Sequence, residues 1–370
     1  MLSQISLIIP SYNRQNFLLR TIRYWSGSQI QVYILDGSPN PIPPDKLIPF
    51  EKNINYLHMP VSLEKRLFAG INHVITDYCV MQGDDEYHLA SALEACSEEL
   101  NSEMDLAACS GRAIGFKCHN NKIVACDIYP EMANFEVMQN APAERVIENF
   151  NPYRVTAFYS VFRTNILKKA LECMSKMSFP FYNFQEIQLE IVTKYQGKFK
   201  VIPHLMWMRS KETLSIRDTE NKPIRPYSHF VELWWPNPFS KNERKQFTQV
   251  ISTTLAKSTI EQDFIKYVVI QAMDKLVNGQ KLSYQQILIF SILEVLPSSV
   301  RNLIKSKLTH NFWLSRFFYS LVQKDTSNQP LIFYRDFFDQ LSLLDSQGVA
   351  VKHIDAEKVF KSLASFYCIV

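Results

Sequence analysis

The chain has 370 residues, 46% of them hydrophobic, with a formal net charge of +4 and only 9 glycines. That length suits one large domain with an appendage, or two domains; the charge is too small to mark a nucleic-acid binder, and the scarcity of glycine excludes long flexible linkers. The 7 cysteines are irregularly spaced and contain no CxxC pair, so Cys109, Cys118 and Cys126 read as reduced thiols of a cytoplasmic protein rather than a zinc site.

The opening residues, MLSQISLIIP, have no basic start and no long apolar core, and do not read as a signal peptide. Residues 5–9 (ISLII) predict a buried strand ended by Pro10. Residues 15–25 carry Phe17, Leu18, Thr21, Ile22 and Trp25 at helical spacing. A second strand is expected over 31–37, a third over 54–59, a helix over 62–75, a fourth strand over 78–82 and a helix over 88–100. Strands alternating with helices predict right-handed crossovers and an α/β fold built on a mostly parallel sheet. Ligands of such sheets bind outside the carboxyl ends of the strands. The polar clusters fall there: Tyr12, Asn13 and Arg14 after the first strand, Asp36, Gly37 and Ser38 after the second, Asp84, Asp85 and Glu86 after the fourth.

From 105 to 235 the pattern is mixed. LAACSGRAIGF and KIVACDIY predict strands, and FEVMQNAPAERVIENF predicts a helix. AFYSVFRTNILKKALECM reads as strand then helix with Thr164 as N-cap, and NFQEIQLEIVTKYQGKFKVI as helix, Gly197 C-cap, strand. From about 240 the pattern is helical, over 242–278, 283–296, 299–322 and 334–363. The break WWPNPFS (234–240) places the expected boundary between a domain of 1–238 and a helical domain of 239–370. The longest apolar run, 287–296, is far short of the ~20 residues that span a bilayer, so any membrane contact is expected to be peripheral.

Three consecutive carboxylates at a strand end repel one another unless a cation or a solvated turn relieves them. Their hard oxygens suit Mg²⁺ or Mn²⁺; the plainer alternative is an acidic turn leading into the next helix. Lys65 and Arg66 open the helix 62–75, where an anion such as a phosphate is favoured, or form an exposed basic turn. Asp36 offers a carboxylate to a base or ribose, or caps the turn DGSP. Glu186 and Glu190 are four residues apart and share a helix face, either as a general base or as a solvated face continued by Lys194. His204 follows a strand and is either structural or a ligand.

SLIIPSYNR, YILDGS and YCVMQGDDEY, in that order, resemble the GT-A glycosyltransferases, most closely the bacterial family-2-like group of surface-polysaccharide synthesis. The resemblance covers 4–90 well and 150–215 loosely. It implies a Rossmann-like GT-A domain in which Pro10, Ser11, Tyr12 and Arg14 border the nucleotide and Asp36 reads the base; with the helix-start cations Lys65 and Arg66, and Gly37, Gln82, Gly83, Asp84 and Asp85 of the strand ends, these form the expected donor-binding set. Gln82 stands where the first aspartate of Asp-x-Asp would fall, so the resemblance gives the metal, Mn²⁺ or Mg²⁺, to Asp84, with Glu86 following in the acidic cluster; His204, on its own reading, is a further candidate ligand. It gives the catalytic carboxylate to Glu186 first and Glu190 second. The implied partners are a nucleotide-sugar donor and a glycan or lipid-linked acceptor, with no nucleic acid.

Two other classes stay open: a sugar-phosphate nucleotidyltransferase, disfavoured because PSYNRQN lacks glycine, and a non-catalytic nucleotide-sugar-binding module. The helical tail is a place for acceptor binding, self-association or contact with the inner membrane face. Segment 301–322 sets Arg301, Lys305, Lys307 and Arg316 beside Leu303, Ile304, Phe312, Trp313 and Phe317, and reads first as a packed helix with a basic outer side.

Overall fold

The structure is a computed structural model that describes residues 2–50, 52–154, 156–179, 182–211, 231–279 and 333–369. The expected helices 283–296 and 299–322 lie outside the described residues.

The first half runs β1 (Ile5–Ser11), α1 (Gln15–Trp25), β2 (Gln31–Asp36), α2 (Pro44–Leu47), β3 (Ile54–His58), α3 (Leu63–Ile71), β4 (Tyr78–Met81), β5 (Tyr87–His88) and α4 (Ala90–Ser102). The middle adds β6 (Leu106–His119), β7 (Lys122–Ile128), β8 (Glu136–Val137), α5 (Pro142–Asn149), β9 (Val161–Arg163), α6 (Thr164–Ser175), α7 (Tyr182–Gln196) and β10 (Lys198–Ser210). Then follow α8 (Val231–Trp234), α9 (Lys241–Leu255), α10 (Thr259–Gly279), β11 (Arg335–Asp336), α11 (Phe337–Ser346) and α12 (His353–Tyr367).

One sheet carries all the described strands, in the order β11-β7-β6-β9-β4-β1-β2-β3, with β10 beside β6 and pairing β5 and β8. The α/β class is as expected from sequence. Parallel pairing is concentrated where the sequence alternates strand and helix, between β1, β2, β3 and β4, and recurs in the β6–β10 pair. The other pairs, including β4–β9, β9–β6 and β6–β7, are antiparallel. The short strands β5, β8 and β11 carry no periodicity of their own and are created by their pairing partners.

Pro10 lies inside β1, which runs on to Ser11, and does not end the strand as expected. β4 pairs β1 only as far as Ile8↔Met81, whereas β2 follows β1 to Ser11↔Asp36. Pro10 thus sits where one flank of the strand has already parted and no ladder donor is required there. The parting of β1 from β4 opens the carboxyl edge of the sheet.

Helices cover both faces. On one, α3, α5, α6, α7, α9 and α10 bury Leu67, Phe162, Leu171, Phe184, Phe247 and Val269 in a single apolar cluster. On the other, α1, α4, α11 and α12 bury Leu18, Leu93, Phe337 and Val359 against sheet residues such as Leu7 and Ile9. The described helices beyond 239 pack into both of these clusters. The expected helix 242–278 is broken at Ala256, Lys257 and Ser258, where the Ser258 hydroxyl accepts from the Glu261 N–H at 3.2 Å and caps α10. Thr164 is the first residue of α6 rather than its cap, and its Oγ1 finds no partner among the described residues; Arg163 precedes it in extended conformation. Gly197 does join α7 to β10, but for closeness: a Cβ there would lie 2.8 Å from the Asp105 carbonyl oxygen.

Candidate active site

Three strand ends meet at the opening. The Gly37 N–H donates to the Ser11 carbonyl at 2.9 Å, and the Asn13 N–H donates to Ser38 Oγ at 2.9 Å. Asn13 accepts a left-handed φ of 55° to make that bond, a conformation asparagine tolerates better than most residues. Ser11 Oγ donates to Asp84 Oδ2 at 2.7 Å. The first two turns line a cleft of about 510 Å³ bordered by Asn13, Arg14, Phe17, Ser38, Pro39 and Asn40. Tyr12 is half-buried beside it.

Arg14 ties the cleft to the acidic cluster. One guanidinium nitrogen lies 3.0 Å from Asp84 Oδ1 and another 2.5 Å from Asp85 Oδ2. From behind, Thr21 Oγ1 donates to the Asp84 carbonyl at 2.7 Å and Arg20 to the Asp85 carbonyl at 2.7 Å. Burial pushes the Asp84 carboxyl up to about 7; Arg14 pulls against it and Asp85 pushes it further.

Glu86 faces elsewhere. Its Oε2 accepts from the Trp207 indole at 2.9 Å, and its Oε1 lies 3.8 Å from Arg209. Trp207 is sandwiched between Tyr159, at 3.6 Å between ring centroids, and Tyr129, at 5.8 Å. Burial, then Asp85, pushes the Glu86 carboxyl up to about 8, against Arg209.

Gln82 is fully buried and bridges the cluster internally. Its amide oxygen accepts from Trp25 Nε1 at 3.2 Å and from the His88 N–H at 3.1 Å, while its amide nitrogen donates to the Glu86 carbonyl at 2.9 Å. It frames the loop rather than facing the cleft. Gly83 is packed against Glu86: a Cβ there would meet its carboxyl at 3.1 Å.

Asp36 is also fully buried. Its Oδ1 accepts from the Ser38 N–H at 2.9 Å and Ser38 Oγ at 2.5 Å, and its Oδ2 from the Tyr56 hydroxyl at 2.6 Å. It shapes the Gly37 turn. Arg66 lies across that turn, so that a Cβ on Gly37 would fall 1.5 Å from Arg66 Nη1, and it donates to the Val61 carbonyl at 2.8 Å. Lys65, its neighbour, is exposed.

The two α7 carboxylates differ sharply. Glu190 is buried and accepts from the Thr156 and Ala157 N–H groups at 2.5 and 2.6 Å, from Thr156 Oγ1 at 2.9 Å and from Lys194 Nζ at 3.1 Å. Its oxygens pin the loop before β9. Glu186, one turn earlier, is partly exposed and lies close enough to Tyr153 to raise that phenol further, after burial and Glu190.

His204 does not join the cluster. It lines a groove of about 310 Å³ with Ser91, Glu94, Glu98 and Lys352 and bridges Ala350. Between Val201 and Trp207 the register of β10 against β6 shifts twice, so simple alternation does not predict which way His204 points.

Mg²⁺ and Mn²⁺ take one or two carboxylates and complete their shells with substrate phosphates and water. Asp84 and Asp85 fit that donor set, since an oxygen of each already converges on one cationic group. Glu86 and His204 do not add to it. Among the described residues no group of three or more His, Cys, Asp and Glu is arranged to hold an ion.

Sequence reasoning missed Tyr56, Arg20 and Trp207, and named Ser38 only as part of a polar strand end. Tyr56 carried a signal, because it lies in a strand that neighbours β2; the reach of Trp207 to Glu86 had none.

Residues 6–171 match the family model described as glycosyl transferase family 2. No curated protein matches the sequence. Among solved structures, S. aureus TarS 1–349 is similar at 12% identity and a TM-score of 0.47, over 78% of this chain and 79% of that one. The same fragment in complex with UDP-GlcNAc gives 12% identity and a TM-score of 0.48, over 80% and 82%.

Proposed function

We propose that this chain, whose residues 6–171 match the glycosyl transferase family 2 model, takes a nucleotide-sugar donor into the cleft beside Arg14 and passes the sugar, with inversion, to a hydroxyl of a glycan or lipid-linked acceptor in bacterial surface-polysaccharide synthesis. The observation that carries the reading is the meeting of the Ser11, Asp36 and Asp84 strand ends at one opening.

The base and ribose lie against the turn that Asp36 and Ser38 hold, and the diphosphate lies between Arg14 and Arg66. Asp84 and Asp85 are the residues that would hold Mn²⁺ or Mg²⁺, which when bound supplies positive charge beside the departing diphosphate. Glu186 takes the proton from the acceptor hydroxyl. The acceptor oxygen then bonds to the anomeric carbon as the carbon–phosphate-oxygen bond breaks and the nucleoside diphosphate leaves with that electron pair. Arg14 and Arg66 stabilise its charge. Among the described residues no helix is long and apolar enough to cross a membrane, and contact with a lipid-linked acceptor is at the membrane surface.

Thermal melts with UDP-, GDP- and CDP-sugars, with and without Mn²⁺, should single out one donor by a metal-dependent rise. Asp84→Asn should lower turnover of that donor about 100-fold or more, and Glu186→Gln should lower kcat about 100-fold or more while leaving donor affinity in place. Undiminished turnover in Asp84→Asn would end the metal part of the reading; undiminished turnover in Glu186→Gln would end its assignment as base.

A further inference from the structure

Arg14 stands where a cation serves Asp84 and Asp85. Its guanidinium bridges both carboxylates at 3.0 and 2.5 Å, is 13% exposed, and forms part of the cleft wall. Arg14 is the N-cap residue of α1 and makes no side-chain cap hydrogen bond. Its guanidinium lies over the Phe17 ring, 5.2 Å from guanidinium carbon to ring centroid, and Phe17 is backed by Phe366 of α12 at 5.4 Å. An aromatic face of this kind holds a guanidinium while letting its fork change partners. The same planar fork matches carboxylate and phosphate equally well.

We propose that Arg14 is an exchangeable counter-cation: it neutralises Asp84 and Asp85 in the donor-free enzyme and yields them to the divalent metal when the donor arrives, moving its guanidinium onto the donor's diphosphate. The proposal rests on the donor and metal reading above. Its logic is competition. A guanidinium and a divalent ion cannot share the same carboxylate oxygens at these distances. The incoming diphosphate gives Arg14 another partner of the same geometry. Metal and nucleotide must then strengthen each other's binding, by the same factor in either order.

The test is titration of Mn²⁺, followed by the EPR signal of the free ion, with and without saturating UDP, and with GDP in parallel. The proteins are the full chain, Arg14→Gln, Phe17→Leu and Asp84→Asn. The unsubstituted protein should bind Mn²⁺ at least tenfold more tightly with the matching nucleotide than without it. Arg14→Gln should bind Mn²⁺ alone at least tenfold more tightly than the unsubstituted protein and should lose most of the nucleotide enhancement. Phe17→Leu keeps the charge but removes the seat, and should move in the same direction by a smaller factor; it carries the test if Arg14→Gln does not fold. If these variants leave the affinity for Mn²⁺ alone unchanged while nucleotide coupling persists, the exchange is wrong and the metal site stands. If the unsubstituted protein binds no Mn²⁺ with either nucleotide, or Asp84→Asn binds it equally well, the metal site fails and the exchange fails with it.

Discussion

Glu86 shows how a single carboxylate can stand in a site without sharing its task. It is 6% exposed, accepts from the Trp207 indole, and burial raises its carboxyl to about 8 from an ordinary value near 4.5. The folded protein therefore holds a proton there that the unfolded chain has already released over that interval. Its favourable contribution is complete below the unfolded value and is lost as pH rises through about 8. Between pH ~5 and ~8.5, the metal-free protein should lose melting temperature relative to Glu86→Gln, and the two curves should converge at the acidic end; parallel curves would refute this. The residue types at the strand ends were legible because hydrophobic runs stop abruptly at Pro10, Asp36 and Asp84. What each atom faces was not. Asp36 spends both oxygens on Ser38 and Tyr56, and Gln82 spends its amide on Trp25, His88 and Glu86; the Tyr56 and Trp25 contacts form only once distant segments are folded together.

At the scale of elements, α7 is the instructive case. The four-residue spacing of Glu186, Glu190 and Lys194 placed them correctly on one helix face, and the 3.6-residue period could not say which turn of that face is sealed. The seal is the loop before β9, whose Thr156 and Ala157 N–H groups converge on Glu190, while Lys194 Nζ lies 3.7 Å from the Phe199 ring centroid. Removing one member of a buried ion pair leaves the other uncompensated. Glu190→Gln should thus cost about 3–5 kcal/mol in urea unfolding, since Lys194 keeps its place with only a neutral partner. A variant of unchanged stability but greatly reduced kcat would instead support Glu190 as a candidate base. β10 teaches the complementary lesson: His204, expected after a strand, lies inside one whose register against β6 shifts on both sides of Leu205.

For the whole molecule, the sheet is covered on both faces by helices that come late in the chain. α9 and α10 bring Phe247, Ile251, Val269 and Met273 to one core, and α11 and α12 bring Phe337, Leu341, Val359 and Leu363 to the other. Asp355 accepts from the Ser91 N–H at the start of α4, and Arg20 links the Asp85 carbonyl to the Tyr367 hydroxyl. Each core would be left with a large uncovered apolar face if these helices were removed, at roughly 25 cal/mol per Å² of apolar surface. A fragment of 1–238 should therefore be insoluble or lack a cooperative melt, whereas the full chain melts cooperatively; a soluble fragment with a sharp transition would show that the sheet domain stands alone. The change from strand-and-helix alternation to helices near 240 was legible in the sequence, but a change in pattern does not reveal whether the next segment builds a new core or finishes an old one.

The Trp207 indole, clasped between two tyrosine rings with its N–H on Glu86, gives the site an optical voice. Excited-state indole is sensitive to a nearby charge, so this ring reports the electrical condition of the acidic loop through its emission. Arg20, Phe17 and Phe366 connect that loop to α12, and light from one side chain can therefore register events at the opening and strain arriving from the final helix alike.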